Sequence, residues 1–594
     1  MGEGERLSGH GGVHAVAAAR RHGITTMFTL SGGHVFPLYD GAVKAQPPMR
    51  LVDVRHEQTA VFAAEATARL TRTPGLAVLT AGPGVTNGMS AVATAHFNGA
   101  PVVILAGRAP DYRWGSGSLQ EIDHPPLLAP VTKRASTEHE TAKIATAVDE
   151  AFWLATARHR GPVFLDISLD ALYGQAEAAF PRADFQAYTE RDALAGGSGG
   201  ARSVVPPGHA LAGGSGGVVP PGQHSGADPG SISQIAGLLA EARRPVLVLG
   251  SDVWLDGADE AARQAAEELR LPVITNGQGR GVLPAGHELL VTRARSVAFR
   301  EADLVIVAGT PLDFRLGYGE FGGAGSGAGG EGPRAQVVHV ADAPGQVARH
   351  CPLAGSAAGD LNAFFTGLAN AASTARAGTA DAAWLGRLQD TVKAAVAADA
   401  ELLASDANPV HPLRVYGELG RLLADDAVVI GDGGDFVSYA GKYIEPKRPG
   451  GWLDPGPFGC LGTGLGYGIA ARIARPSAQV VLLLGDGAAG FSLMDADTLV
   501  RHGLPVVMVC GNNGGWGLEK HPMRFLYGYD VAADLQPQCR YDEVVRALGG
   551  AGELVTEPGQ IAPALQRAFD AGVPYLVNVV TDPEIAYPRS TTGI

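Results

Sequence analysis

Nine short runs rich in Val, Leu and Ile recur along this chain, and they constrain its fold more than any other feature. The runs do not alternate with polar residues, which is typical of strands covered on both faces of a parallel sheet. Most of them end in Gly, Asp or Asn, and amphipathic helical segments lie between them. The pattern predicts doubly wound α/β sheets, which bind ligands at the carboxyl ends of their strands. The runs are residues 76–82, 101–107, 162–167, 245–250, 303–309, 427–433, 480–487, 505–513 and 575–580.

Length and local composition divide the chain into domains. At 594 residues the chain is too long for a single hydrophobic core. Residues 187–230 contain GGSGG twice and VVPPG twice. This density of Gly and Pro predicts a flexible or extended linker, although the near-repeat could also be a docking element. We expect a first domain at 1–186, a middle domain at 231–370 and a third domain at 408–594.

Charge and cysteine content argue against several classes of protein. Acidic residues number 60 and basic residues 46, so the net charge is −14, which argues against a nucleic-acid binder or a protein of anionic membranes. The four cysteines show no CxxC pair and no metal-ligand spacing, so we expect neither a disulfide scaffold nor a zinc site. We expect no signal peptide and no membrane span. The cysteine content fits a reducing compartment, so we expect a cytoplasmic protein.

The segment 482–517 gives the strongest chemical signal. One predicted strand ends in Gly-Asp-Gly at 485–487, and the next ends in Asn-Asn at 512–513. Adjacent parallel strands joined by a helix bring these tips together, so a carboxylate and an amide oxygen converge, and both suit Mg²⁺. The glycines allow backbone N–H groups to approach a phosphate at a helix N-terminus. GDG alone is a common turn, but GDG followed at this distance by NN predicts a metal–diphosphate site.

This combination resembles the cofactor site of thiamine-diphosphate (ThDP) enzymes. The resemblance covers essentially the whole chain apart from the linker, and it implies pyrimidine-binding, middle and diphosphate-binding α/β domains in that order. It implies that Asp486, Asn513 and the backbone carbonyl of Gly515 hold Mg²⁺. It also implies a bulky apolar residue, Leu465, that supports a bent cofactor. The residues that we expect to bind ThDP are Asn87, Gly434, Asp435, Phe436, Gly464, Leu465, Gly485 and Gly487.

Glu57 is the predicted catalytic residue. It begins a helix after a short strand in LVDVRHEQTAVFAAEATARL. A glutamate at a helix start is also what the helix dipole favours, so the position alone does not assign a role. The resemblance implies that its carboxylate contacts the aminopyrimidine of ThDP bound by a partner subunit. We therefore expect a homodimer or homotetramer with active sites at the subunit interface.

Three further residues are candidates for the substrate side of the site. His34 lies in GGHVFPLYDG and Gln120 in GSLQEIDH, two loops that the resemblance places near the reactive end of the cofactor. His34 could equally be an ordinary loop histidine. Asp495 follows Asp486 by nine residues, at a position where many relatives carry Glu. It could face the substrate or be a surface or hydrogen-bonded helix residue.

The remaining motifs resemble two branches of the family. WLDPGPFG, GSLQEIDH and LVRHGLPV are similar to both acetolactate synthase large subunits and 2-hydroxyacyl-CoA lyases. An ARS segment before ADLVIVAG resembles the lyases, and no GMHG stretch of the FAD-binding synthases occurs, so FAD is doubtful. We expect a ThDP- and Mg²⁺-dependent 2-hydroxyacyl-CoA lyase that releases formyl-CoA and an aldehyde or ketone. The alternatives are acetolactate-synthase-type carboligation of 2-oxo acids such as pyruvate, and a non-catalytic ThDP-fold binding protein.

Overall fold

A computed structural model describes residues 6–179, 227–323, 334–374 and 382–587. The chain forms two compact units, of which one contains the first predicted domain together with residues 458–460. The other contains the middle and third predicted domains. The predicted linker, 187–230, lies outside the described residues except for its last four. Two of these four, Pro229 and Gly230, already begin a helix of the second unit.

The first unit is built on a six-stranded parallel sheet. The strands of this unit are β1 (Arg6–His10), β2 (Thr26–Thr29), β3 (Arg50–Asp53), β4 (Gly75–Leu79), β5 (Val102–Arg108), β6 (Arg134–Glu138), β7 (Val163–Ser168) and β8 (Gln175–Ala179). Its helices are α1 (Gly11–Arg21), α2 (Phe36–Lys44), α3 (Glu57–Thr71), α4 (Pro83–Phe97), α5 (Pro125–Leu128), α6 (Ile144–Thr156) and α7 (Leu169–Tyr173). The sheet has the order β3-β2-β4-β5-β7-β6, and β1 and β8 form a separate antiparallel ribbon.

The second unit contains a five-stranded parallel sheet, formed by the middle part of the chain. Its strands are β9 (Pro245–Leu249), β10 (Val273–Thr275), β11 (Leu304–Ala308), β12 (Gln336–Ala341) and β13 (Gly355–Ala358), in the order β10-β9-β11-β12-β13. The helices are α8 (Pro229–Glu241), α9 (Ser251–Leu255), α10 (Asp259–Glu268), α11 (Arg295–Glu301) and α12 (Leu361–Thr374). Along β9, Leu247 and Leu249 belong to one apolar cluster and Val246 and Val248 to another. The sheet is therefore covered on both faces, as the apolar runs predict.

The same unit contains a second parallel sheet, of six strands. These are β14 (Val428–Asp432), β15 (Trp452–Leu453), β16 (Val480–Gly485), β17 (Val507–Asn512), β18 (Ala551–Val555) and β19 (Tyr575–Val580), in the order β15-β14-β16-β17-β19-β18. The helices are α13 (Ala382–Leu403), α14 (Pro412–Leu422), α15 (Asp435–Tyr443), α16 (Thr463–Ala474), α17 (Asp486–Ser492), α18 (Ala496–Arg501), α19 (Gly517–Tyr527), α20 (Tyr541–Ala547) and α21 (Ile561–Asp570). Helix α13 occupies the segment between the second and third predicted domains.

The predicted fold class is confirmed. Every one of the nine apolar runs overlaps a strand, and these strands lie in three parallel sheets. Within the ranges described above, no helix has both the length and the apolar character needed to cross a bilayer.

Candidate active site

The carboxyl ends of β14, β16 and β17 form one edge of the third sheet. β14 pairs with β15 on one side and with β16 on the other, so the strand order reverses between β14 and β16. A reversal of this kind leaves a crevice beyond the strand ends, in which α/β proteins bind ligands. β16 and β17 are neighbours, and Gly485 pairs with Gly511. The residues after these strands, Asp486 and Asn513, therefore lie at the same edge, as the sequence predicts.

Asp486 begins α17 and is only 3% exposed. Its Oδ2 accepts a hydrogen bond from the N–H of Gly514 at 2.7 Å, and its Oδ1 accepts one from the N–H of Gly487 at 2.9 Å. Burial raises the pKa of Asp486 to about 6, although the backbone N–H donors oppose the shift. Among the described residues, no Lys, Arg or His side chain forms an ion pair with this carboxylate. It is a buried charge that a bound cation would stabilise.

Asn513 and Gly515 complete a set of oxygen atoms beside Asp486. The Oδ1 atom of Asn513 accepts a hydrogen bond from the N–H of Gly515 at 3.2 Å. That N–H also interacts with the Asp486 carboxylate, so the three residues form one cluster. A carboxylate, an amide oxygen and a backbone carbonyl are hard ligands of the kind that Mg²⁺ takes. The residues present therefore fit the predicted metal site.

A cavity at this edge brings together eight of the residues that the sequence places at the cofactor or the metal. Glycine is required at position 487, because a Cβ atom there would lie 2.5 Å from the ring of Trp516. Trp516 also lines the cavity and was not singled out by the sequence patterns, although it directly follows NNGG. The eight predicted residues in the lining are Gly434, Asp435, Phe436, Gly485, Asp486, Gly487, Asn513 and Gly515.

The side chains of Asp435 and Phe436 make contacts with other residues of the protein. Oδ1 of Asp435 accepts a hydrogen bond from the N–H of Tyr587 at 2.7 Å. The ring of Phe436 packs on Gly511, where an added Cβ would lie 2.3 Å from it. Both residues begin α15, which follows Gly434. What this segment offers a ligand is therefore its backbone N–H groups, and its predicted contact with a diphosphate stays a prediction.

Asp432 fixes the segment that contains Gly464 and Leu465. It ends β14, and its two carboxylate oxygens accept hydrogen bonds from the N–H groups of Gly462 at 3.0 Å and Gly464 at 2.8 Å. Burial raises its pKa to about 6. Leu465 is fully buried in the first turn of α16. No local pattern marks Asp432 in the sequence, because its partners lie 30 and 32 residues further along the chain.

Glu57 lies in the first unit, at the first position of α3. His56 caps the helix, since its Nδ1 accepts the N–H of Gln58 at 3.2 Å. The Glu57 side chain is mostly buried, at 7% exposure. The side-chain amide of Asn87, on α4, donates to its Oε2 at 3.0 Å. The structure thus places two of the predicted residues in direct contact.

A cavity of about 720 Å³ in the first unit contains the predicted substrate residues His34 and Gln120. Nδ1 of His34 lies 3.4 Å from Oγ1 of Thr80, and burial lowers the pKa of this histidine. Gln120 has a φ of 60°, a left-handed conformation that a residue other than glycine rarely adopts. Thr80, Tyr112 and Leu119 contribute to the same lining. These positions are compatible with contact to a substrate.

Asp495, the third predicted substrate residue, has a different environment from His34 and Gln120. It is only 1% exposed and does not line the cavity at Asp486. Its Oδ1 accepts a hydrogen bond from Oγ1 of Thr498 at 2.9 Å, at the beginning of α18. Of the two interpretations left open by the sequence, this geometry favours the hydrogen-bonded helix residue.

Three family descriptions match the chain, in the order of its sheets. "Thiamine pyrophosphate enzyme, N-terminal TPP binding domain" matches residues 10–127. "Thiamine pyrophosphate enzyme, central domain" matches 232–368, and the corresponding C-terminal TPP binding domain matches 432–579. The matched ranges contain Glu57, Asp486 and Asn513.

Individual proteins are similar over nearly the whole chain. "Acetolactate synthase large subunit IlvG" of Mycobacterium tuberculosis is 46% identical over 98% of this chain and 97% of its own length. "Probable acetolactate synthase" of Mycobacterium bovis shows the same values. "2-hydroxyacyl-CoA lyase 2" of Homo sapiens is 32% identical over 96% of this chain and 90% of its own length. The chain therefore belongs to the family of thiamine-diphosphate-dependent enzymes.

Proposed function

We propose that this protein is a ThDP- and Mg²⁺-dependent enzyme that forms or breaks a carbon–carbon bond next to a carbonyl carbon. The observation that carries the proposal is the buried carboxylate of Asp486, which meets Asn513 and Gly515 at the reversal of strand order. Both groups of relatives have names that denote chemistry at such a bond. FAD is not part of the proposal.

In this proposal Asp486, Asn513 and Gly515 hold the metal ion. The ion would balance the carboxylate and the negative charge of a diphosphate, which the protein does not neutralise with a cationic side chain among the described lining residues. The N–H groups at the start of α15 and α17 would then face the phosphate oxygens, where helix N-termini favour anions. Gly487 is needed so that α17 can begin against Trp516.

Glu57 is the proposed catalytic residue. Its carboxylate would hold a proton at a ring nitrogen of the aminopyrimidine, and Asn87 orients it through the bond to Oε2. When bound, ThDP supplies a carbanion that adds to a carbonyl carbon and a ring that accepts the electron pair of the bond that breaks. Because the Glu57 carboxylate is mostly buried, water competes little for this proton.

Two substrate classes fit this chemistry. Carboligation of 2-oxo acids is supported by the names of the relatives that are 46% identical. Cleavage of 2-hydroxyacyl-CoA thioesters is supported by the names of relatives at 32–34% identity. The cavity with His34 and Gln120 has about 720 Å³, is open to solvent and would also have to receive the reactive end of the cofactor, so its volume does not discriminate between the two classes.

Glu57→Gln tests the proposal. The amide has nearly the volume of the carboxylate, so we expect ThDP binding and the melting temperature to be retained. Exchange of the cofactor C2 proton, followed by NMR, should slow by about 10²–10⁴-fold, as is usual when a positioned proton-transfer group is lost. Wild-type exchange in this variant would remove Glu57 from the mechanism.

Glu65→Gln is the matched control for this experiment. Glu65 lies two turns further along α3, is fully buried and accepts hydrogen bonds from Arg69 and Asn98. Its loss should lower the melting temperature, because Arg69 then keeps a buried charge with a weaker partner, while C2 exchange should stay at the wild-type rate. The two variants thus separate catalytic from structural effects.

A paired assay decides between the substrate classes. The wild-type protein with ThDP and Mg²⁺ is given 2-hydroxyacyl-CoA thioesters in one arm and pyruvate in the other, each with and without FAD. Formyl-CoA and an aldehyde in the first arm support the lyase reaction. Acetolactate from pyruvate alone supports carboligation. No product in either arm, together with no ThDP binding by calorimetry, would contradict the proposed function.

A further inference from the structure

An ionic network, buried except at Asp123, lies beside the cavity of the first unit. Nδ1 of His124 lies 2.8 Å from Oδ2 of Asp166, and both side chains are fully buried. The guanidinium of Arg108 donates to the same Asp166 oxygen at 3.2 Å and to Asp123 at 3.0 Å. The ring of His124 also meets Phe164 edge-on, with centroids 6.1 Å apart. None of these residues has a role in the proposed function so far.

The second ring nitrogen of His124 connects the network to the backbone. Nε2 accepts a hydrogen bond from the N–H of Gly82 at 2.9 Å, in a buried position. Because a backbone N–H can only donate, Nε2 carries no proton, and the proton of the neutral imidazole is on Nδ1, which donates to Asp166. Asp166 therefore selects the tautomer that can hold Gly82, and Arg108 balances the charge of Asp166.

The hydrogen bond from Gly82 to His124 holds a position where the backbone is tightly constrained. It precedes α4 and has a φ of 60°, a conformation that favours glycine. A Cβ atom on Gly82 would lie 2.8 Å from Cβ of Gln120, so the two backbones are already in close approach. His124 follows Gln120 by only four residues in the chain. The bond from His124 to Gly82 therefore ties the loop that contains Gln120 to the beginning of α4.

Helix α4 reaches the Glu57 carboxylate within its first turns. A Cβ atom on Gly84 would lie 3.7 Å from Oε1 of Glu57. Asn87, one turn further on, donates to Oε2 of the same carboxylate at 3.0 Å. The first turn of a helix has no intrahelical partners for its N–H groups, so its position depends on the contacts that hold its N-terminus. Movement of Gly82 would thus displace Asn87 from Glu57.

We propose that His124 is a positioning residue that couples the Gln120 loop to the Glu57 carboxylate through Gly82 and α4. The inference rests on the proposed function, because it assigns His124 a part in orienting the proposed catalytic group. Through its contact with Gly82, His124 would hold the loop that contains Gln120 in a fixed position relative to the Glu57 carboxylate. If His124 merely filled the core, the effect of substituting it would depend on the volume of the new side chain. It would not depend on whether that side chain can accept the N–H of Gly82.

Two amide substitutions of His124 separate these interpretations. The amide of Gln reaches the position of Nε2 and can accept the N–H of Gly82. The amide of Asn reaches only the position of Nδ1, so it keeps the hydrogen bond to Asp166 and loses the one to Gly82. In apo protein, hydrogen–deuterium exchange of the peptide spanning 82–87 should rise by about tenfold in His124→Asn, because a buried donor has lost its partner. In His124→Gln it should stay close to the wild-type rate.

The holoprotein with ThDP and Mg²⁺ supplies the second readout. C2 proton exchange should fall by about tenfold in His124→Asn and be largely retained in His124→Gln, with ThDP affinity similar in both. Equal loss in the two variants, or a loss in neither, would overturn the inference. So would slower C2 exchange without faster amide exchange at 82–87.

Failure of the proposed function gives a different result from failure of this inference. If the wild-type protein binds no ThDP, the proposed function fails, and the amide exchange of apo protein still decides whether His124 holds α4. If wild-type C2 exchange is normal and slows in Glu57→Gln, but amide exchange is the same in both His124 variants, the function stands and the coupling is wrong.

Discussion

Two aspartates in the third sheet show how burial acts on a single residue. Asp432 ends an apolar strand and Asp486 directly follows one, and burial raises the pKa of each to about 6. Backbone N–H groups donate to both carboxylates and oppose the shift in both cases. The difference is in their surroundings, since Asp486 lines a cavity and Asp432 lies beneath Gly462 and Gly464. The same chemistry therefore stabilises the fold at Asp432, and in the proposed function it would hold a ligand at Asp486.

Asp486→Asn tests the metal assignment. The substitution keeps the volume but removes the charge that the cation would balance, so ThDP affinity at fixed Mg²⁺ should fall at least tenfold, or about 1.4 kcal/mol. Calorimetry with and without Mg²⁺ measures this. Asp495→Asn is the control, because Asp495 is a buried aspartate bonded to Thr498 outside the cavity, and it should leave ThDP affinity unchanged. Equal affinities for wild type and Asp486→Asn would reject the assignment.

Asp432 predicts a pH dependence of stability. Its pKa in the folded protein, about 6, is above the ordinary value of 3.8, so the folded state binds the proton more tightly than the unfolded state. The contribution is fully present below pH 4 and is lost as the pH rises through 6. Relative to Asp432→Asn, which does not titrate, the wild type should lose about 2–3 kcal/mol of unfolding free energy between pH 4 and pH 7. Urea unfolding at both pH values measures this, and parallel pH profiles would contradict it.

At the scale of the element, the nine strands predicted from apolar runs all lie in the interior of the sheets, and none of the strands at the edges was predicted in this way. The central strand β5 is buried along all seven residues, and its first five residues are all apolar. The edge strand β6 reads RASTE, is half-exposed throughout and has no apolar run. β15 has only two residues. An edge strand is covered on fewer sides, so its residues carry less of the hydrophobic signal on which the prediction depends.

Close packing of a helix on a strand also depends on glycines, which have no side chain and so do not contribute to the hydrophobic pattern of the sequence. Gly75 begins β4, and a Cβ atom there would lie 2.0 Å from the backbone oxygen of Ala64 on α3. Gly75→Ala should therefore force the helix that begins with Glu57 away from the sheet, at a cost of about 1–3 kcal/mol. Thermal unfolding measures the loss.

Gly237→Ala is the matched control for this substitution. Gly237 lies inside α8, where nothing is within 4 Å of an added Cβ. Alanine is the better helix former, so this variant should be stabilised by about 0.5–1 kcal/mol. A destabilisation of the same size in both variants would show that the α3–β4 approach is not the cause.

At the scale of the whole molecule, the sequence predicted the contacts that follow from the order of neighbouring strands, and it did not predict the contacts between distant loops. Asp486 and Asn513 follow strands that are adjacent in both sequence and space, so their meeting at one edge follows from topology. The contact from His124 to Gly82 joins positions 42 residues apart, and no spacing rule connects them. The same holds for Asp432 and Gly464, which are 32 residues apart. Such contacts depend on how loops pack once the sheets have formed.

The family resemblance makes a further prediction at this scale, that Glu57 of one subunit acts on ThDP held by Asp486 of another. Co-expression of Glu57→Gln and Asp486→Asn chains tests it. In a homodimer with shared sites, half of the dimers formed by random pairing contain both chains, and each of these has one intact site, so about one quarter of wild-type activity should return. Each variant alone should be nearly inactive. If each site is built within a single subunit, every site in the mixture carries a substitution and no activity returns. C2 proton exchange of the mixed preparation, compared with the two variants mixed only after purification, gives the fraction of intact sites without requiring the substrate to be known.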